Sequence, residues 1–236
     1  MTYIERTAAK LFHETVGRGI AAVRERKVNI FLETLKPNEY FSSVIPPYVS
    51  QIANADHSKI SEFYGFINDE KAAQRFGTNN LEEFSFWAWR SCGVVDAQMV
   101  LMASKGKSFD KTTMQLITEG LDLEGYDVKE NIGWYHSALV ELMKKYGIES
   151  TMKKFTPSSE IAKDILENKY VLASVKSETG GHILLIYGFK IEDNGRLTGF
   201  FVNDPNNYYE DGDNKYITKH EFDELFTRRT IVVNLD

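Results

Sequence analysis

The sequence predicts an α+β domain, on three observations. Apolar residues recur at steps of three and four through much of the first two-thirds of the chain. The last third instead holds runs rich in β-branched and aromatic residues: Tyr170 to Val175, His182 to Lys190, Leu197 to Asn203 and Thr230 to Asn234. Between two of these runs stands Asp193-Asn194-Gly195, a hairpin signal. Helices gathered early and strands late favour α+β over an alternating α/β chain.

Tyr3 to about Arg26 carries Ile4, Ala8, Leu11, Phe12, Val16, Ile20 and Val23 at helical spacing, interrupted by Gly17 and Gly19. Lys27 to Leu35 reads as a strand, because Val28, Ile30 and Leu32 alternate with polar neighbours. Pro37 to Gln51 is irregular, with Pro46-Pro47 as its punctuation. Ile52 to Phe84 is polar and mixed and reads as an insertion holding one or two short helices. Cys92 to about Ser104 is helical, with Val95, Met99 and Met102 on one face. Thr112 to Leu121 and Tyr135 to Tyr146 give two more helices, the latter ended by Lys144-Lys145 and Gly147. Thr156 as N-cap with Pro157 behind it opens a short helix to about Glu167. A capping box, Thr218-Lys219-His220-Glu221, starts one more.

The chain has 236 residues, 42% apolar and 26% charged, enough for a core and too apolar for wholesale disorder. A formal charge of −6 argues against a strongly basic nucleic-acid binder. No apolar run approaches the roughly 20 residues of a membrane span. Met1-Thr2-Tyr3-Ile4-Glu5-Arg6 enters mixed charge at once, unlike a Sec signal. The expectation is therefore a cytoplasmic protein, with export by another route left open. One cysteine leaves no internal disulfide framework and no Cys-rich zinc site.

That lone residue, Cys92, follows the aromatic stretch Phe86-Trp87-Ala88-Trp89-Arg90-Ser91 and begins an amphipathic helix. Backbone N–H groups at a helix start favour the thiolate form of a cysteine. Gly93 beside it is expected to let a substrate backbone approach. Placed about Asp193 as the turn centre, His182 opposes Asp204, Leu184 opposes Val202 and Ile186 opposes Phe200. Opposed residues share a face about 4.5–5.5 Å apart, so local geometry joins a histidine to an acid. A shift of one residue would offer Asn203 instead. Cysteine, histidine and an orienting group are the parts of covalent acyl transfer.

Ser91-Cys92-Gly93, Gly181-His182-Ile183-Leu184-Leu185-Ile186-Tyr187-Gly188 and Val202-Asn203-Asp204-Pro205 resemble the three motifs of the C39-like cysteine peptidases. The resemblance spans roughly residues 43 to 236. It leaves 1–42 as an N-terminal helix-and-strand extension and 52–87 as an insertion. It implies a papain-like fold, with the nucleophile at the start of a helix packed on an antiparallel sheet that carries His and Asp. It also implies Cys92 as nucleophile, His182 as general base and Asp204 as orienter. Pro47-Tyr48-Val49-Ser50-Gln51 matches the family's Pro-Tyr-x-x-Gln stretch and makes Gln51 the oxyanion candidate. Val94 stands where the family usually has proline, and the interval from Gln51 to Cys92 is longer than usual.

The implied activity is hydrolysis of a peptide or small amide through a thioester, with no metal or organic cofactor. An amidase or acyltransferase on the same triad, or a catalytically silent peptide-binding module, are the alternatives. Residues 52–87 join the oxyanion candidate to the nucleophile and are expected to form a cleft wall or lid. Phe63, Tyr64, Phe66 and Phe76 would dock it on the body. Gly17-Arg18-Gly19-Ile20-Ala21-Ala22 has the form of a dinucleotide fingerprint but follows a helix rather than a strand. The oxygen-rich run 204–213 misses the spacing of a calcium loop.

Overall fold

Val28 and Leu32 stand four residues apart, which fits one helical turn as well as two strand repeats. The computed structural model describes residues 3–131, 133–177 and 180–235, with the side chains of 3–11, 13, 14, 18, 194 and 209 outside that description. Helix α1 runs unbroken over Tyr3–Leu32, so the strand expected from Lys27 is helix instead. Leu32 is buried and Val28 packs on the same cluster, whereas Ile30, which a strand would have placed beside them, is 61% exposed. Of the stripe expected earlier in α1, Phe12, Val16, Ile20 and Val23 are exposed. The side chains of Ile4, Ala8 and Leu11 lie outside the described residues.

The chain then forms β1 (Asn38–Phe41), α2 (Glu70–Phe76), α3 (Leu81–Ala88), α4 (Cys92–Lys105), α5 (Thr113–Asp122) and α6 (His136–Lys145). Next come β2 (Ser150–Lys154), α7 (Ser158–Leu166), β3 (Lys169–Ser177), β4 (Gly180–Ile191) and β5 (Leu197–Asn203). The last elements are α8 (Tyr209–Gly212), β6 (Lys215–Thr218), α9 (Lys219–Leu225) and β7 (Phe226–Asn234). Capping boxes at Thr112 and Thr218 start α5 and α9. Helix α7 begins one residue later than expected. Pro157 takes the N-cap position, and Thr156 is buried with its hydroxyl 3.3 Å from that of Thr230.

Among the described residues, seven strands form one antiparallel sheet in the order β2-β7-β3-β4-β5-β6, with β1 also paired to β4. Residues 38–41 are therefore strand partners of the domain and not a detached extension. Alternation sorts side chains to two cores. Tyr170, Leu172, Ile183, Leu185 and Tyr187 join the cluster formed with α2 to α6, while Val171, Ala173, Leu184 and Ile186 join that of α1, α7 and α9. A register shift near Gly188 reverses this parity, so Phe189 and Ile191 face the second cluster.

Helix α4 is buried from Gly93 through Leu101 and fills the centre of the first cluster. The segment expected as an insertion also belongs there, since Ile52, Ala55, Ile67, Ala72, Ala73, Phe76 and Phe84 are core residues. No described helix is long and apolar enough to cross a membrane.

The helical reading of 27–32 predicts an asymmetry. Leu32→Ala should cost about 2–5 kcal/mol, as buried leucines do, while Ile30→Ala should stay within about 0.5 kcal/mol. Denaturant unfolding measures both, and equal losses would contradict this packing.

Candidate active site

The thiol is set by what holds the residues before it. Trp89 donates its indole N–H to Gly65 O at 2.8 Å, and Trp134 donates its own to Arg90 O at 2.9 Å. The Arg90 guanidinium lies 4.2 Å from the Phe86 ring centre and donates to Asn131 Oδ1 at 3.0 Å. Ser91 occupies the N-cap of α4 but makes no side-chain cap, so Cys92 opens a helix whose first N–H groups have no side-chain acceptor from Ser91. Cys92 is half-buried and Gly93 fully buried. A Cβ on Gly93 would sit 2.8 Å from Leu139 Cδ1 and 3.0 Å from Ile183 Cδ1. Gly93 thus permits close packing of α4 on α6 and β4 and does not present backbone to a substrate, as the sequence had suggested.

His182 Nε2 lies 2.8 Å from Asp204 Oδ1, and the ring is also coupled electrostatically to Cys92. The Asp204 carboxylate is held on both oxygens: Asn206 N donates to Oδ1 at 3.2 Å and Lys215 Nζ to Oδ2 at 3.1 Å. The contact does not arise by direct opposition. Ile186 faces Val202 and not Phe200, in line with Glu192 N bonding Arg196 O across the turn and centring it on Asn194, with a register shift between Ile186 and Gly188 along the way. The expected pairs are displaced by two residues. A displacement of two keeps the side of the pleat, so His182 still reaches Asp204, diagonally.

Asn203 is turned away from the histidine. Its amide donates to Pro46 O at 3.2 Å and its carbonyl accepts Asn214 N at 3.2 Å, which makes it a buried staple and not an orienter. Gln51 is buried against the segment that follows Asp204. Its backbone N donates to Pro205 O at 2.8 Å and its Nε2 to Asn206 Oδ1 at 2.7 Å. The Tyr48 hydroxyl bonds Asp204 O at 2.9 Å and Asn207 O at 2.6 Å, and Ser50 Oγ adds Asn207 O at 2.7 Å. Tyr48, Asn206 and Lys215 went unnoticed in the sequence. Tyr48 at least lay within the Pro-Tyr-x-x-Gln stretch, whereas Lys215 sits in a strand that no pattern announced.

Residues 68–230 match the family described as Peptidase_C39 like family. The chain belongs to that family. A protein from Bacillus anthracis assigned to the C39-like peptidases has a similar structure, with 13% identity, a TM-score of 0.50 and coverage of 83% of this chain and 97% of that one. The peptidase domain of Streptococcus ComA, a bifunctional ABC transporter, matches with 17% identity and a TM-score of 0.43 over 61% of this chain and 91% of its own. A double glycine motif protease from an AMS/PCAT transporter, in complex with its leader peptide, matches with 17% identity and a TM-score of 0.40, covering 61% and 83%. A search of the curated proteins found no match. With the family match and the similarity to the Bacillus anthracis structure, the expected architecture of helix and antiparallel sheet stands as a C39, papain-like fold.

In this C39-like domain the other described histidines meet other partners. His136 pairs with Ser174 Oγ at 2.8 Å, His57 stacks on Tyr208 with ring centres 3.7 Å apart, and His220 Nε2 lies 3.6 Å from Glu224 Oε1. Burial opposes charge on His182, yet the hydrogen bond to Asp204 and the interaction with Cys92 outweigh it and push the imidazole up to about 10. Burial likewise opposes charge on Asp204, but His182 and Lys215 draw the carboxyl down to about 2. The raised histidine stabilises the fold fully below its ordinary 6.5 and loses that contribution as pH rises through about 10. The depressed aspartate contributes above its ordinary 3.8 and loses it as pH falls through about 2.

Removing Asp204 should therefore bring the His182 titration down, because burial then acts with less opposition. NMR titration of the imidazole C–H signals in Asp204→Asn measures it. A His182 midpoint unchanged from the parent protein would assign the upward push to another group.

Proposed function

We propose that the chain is a cysteine peptidase that hydrolyses a peptide bond with Cys92, His182 and Asp204. The observation that carries the reading is His182, hydrogen-bonded at 2.8 Å to a carboxylate anchored on both oxygens and coupled electrostatically to the thiol at the start of α4. Asp204 on Nε2 fixes the ring and leaves the other nitrogen for the sulfur. The Cys92 thiolate attacks the carbonyl carbon and forms a C–S bond. His182 gives its proton to the leaving nitrogen as the C–N bond breaks. Neutral His182 then takes a proton from water, which attacks the thioester and releases the acid and the thiol. Gln51 and the Cys92 N–H are the oxyanion donors in this scheme, each worth about 2.7–4 kcal/mol. Gln51 has a second amide hydrogen beside the one given to Asn206.

The same chemistry on a small amide, or transfer of the acyl group to an acceptor other than water, uses identical residues, and the products formed decide between them. Cys92→Ala should abolish turnover with the fold retained. Gln51→Ala should lower kcat by about a hundredfold. Assays on a peptide library, read by mass spectrometry, test both. Full activity in Cys92→Ala would end the proposal.

The segment 61–66 supports a cleft-wall role for part of the expected insertion. Phe63 and Tyr64 pack on Trp89, three residues before the nucleophile, with ring centres 5.3 and 5.5 Å away. Phe76 is core, whereas Phe63, Tyr64 and Phe66 remain exposed, so three of the four aromatics expected to dock the segment face solvent. Such rings favour a substrate with an apolar side chain near the scissile bond. Phe63→Ser combined with Tyr64→Ser should raise KM about tenfold or more and leave iodoacetamide alkylation of Cys92 unchanged. An unaltered KM would make the rings bystanders.

A further inference from the structure

Asp96 follows Cys92 by four residues on α4, one turn deeper on the same side of the helix. It is 0% exposed, and neither carboxyl oxygen has a hydrogen-bond partner among the described residues. The charged and titratable groups that face it come from several elements. They are Cys92 on its own helix, His182 in β4, Asp204 just past β5, and Tyr48 in the segment before Gln51. Lys215, the cation in this neighbourhood, is already engaged by Asp204. A carboxylate shut off from bulk solvent and given no donor by the described residues is far less favourable than the neutral acid, so this geometry calls for a proton on Asp96. The scheme above gives that acid no task.

We propose that Asp96 is an un-ionised carboxylic acid set one turn behind Cys92, with no part in holding the substrate or the Cys92–His182 pair while neutral, whose ionisation shuts the site. The effect on turnover rests on the cysteine-peptidase reading. The protonation state of Asp96 and its coupling to Cys92 do not.

The sign follows from the neighbours. Burial is the largest influence holding the proton on Asp96, and the negative charge of Cys92 is the next, ahead of the opposing charge of His182. A charge on Asp96 therefore repels the thiolate more than it attracts the imidazolium. It favours the neutral thiol–imidazole pair over the ion pair. It also opposes the negative charge that develops on an attacked carbonyl. Coupling of this kind is reciprocal, so the thiolate in turn keeps Asp96 protonated.

Infrared difference spectra of the full chain in D2O test the proposal directly. The wild type should show the carbonyl band of an un-ionised carboxylic acid at pH 7, and Asp96→Asn should lack it. In Cys92→Ala, which retains the acid and removes the thiolate, the band should titrate away at a pH lower by about half a unit or more. This response identifies the acid even if Asp96→Asn does not fold. In turnover, Asp96→Asn should keep kcat/KM at pH 7 within about threefold, because a neutral group replaces a neutral group, and should move the alkaline limb of the pH profile upward. Absence of the acid band at pH 7, a titration unaffected by Cys92→Ala, or superimposable alkaline limbs would each overturn the inference. A chain that hydrolyses nothing yet shows the band and its response to Cys92→Ala would refute the peptidase reading and leave the coupling standing.

Discussion

The close approach of α4 to the sheet is the constraint on which the rest of the structure depends. Gly93 has no Cβ, and that absence lets the second residue of the helix lie against Ile183 of β4 and Leu139 of α6. The helix is then buried along most of its length, and its first residue emerges at the rim, next to the histidine one position before Ile183. Cys92 and His182 are thus placed by a packing contact between their neighbours in sequence. Core packing is dense and stiff, so a site hung on it inherits that stiffness.

The chain before the helix is held by different means. Aromatic side chains carry polar handles there: the Trp89 indole N–H is spent on Gly65 O, and that of Trp134 on Arg90 O. On the far side of the site, Tyr48, Ser50 and Gln51 stitch an irregular segment to residues 204–207. Irregular backbone this close to a core needs such partners, since it has no ladder of its own. The stitched segment also carries Asp204, whose two oxygens are committed to His182, Asn206 and Lys215. A carboxylate fixed at three points holds the imidazole in one orientation and sustains its charge in a buried place.

The electrostatics divide along the same lines. Asp204, with donors on both oxygens, keeps its charge although mostly buried. Asp96, more deeply buried and with no donor, is held well toward the neutral form. The two aspartates near one cysteine and one histidine are thus pushed in opposite directions, and hydrogen-bond supply is the difference between them.

Local chemistry in the sequence determined a good deal. The capping box at Thr218, the helix start at Cys92 and the four apolar strand runs all appear where residue pattern alone put them, because caps and alternating burial act over a few residues. The pairing of His182 with Asp204 was legible for a similar reason, as two strand ends joined by one turn must meet, although the wider turn moved the register by two. Other features were decided by contacts distant in the chain. Val28 and Leu32 fit either period, and only their packing on the second core made the segment helix. Strands β1, β2 and β6 are short and largely exposed and owe their form to partners in β4, β7 and β5, so no burial pattern marked them. Asn203 and Asp204 are adjacent and chemically alike, yet a buried carbonyl at Pro46 claimed one and left the other to the histidine. Sequence determined which residues carry the chemistry; the tertiary structure decided which partner each would meet, because hydrogen bonds between distant segments exist only once both cores have closed.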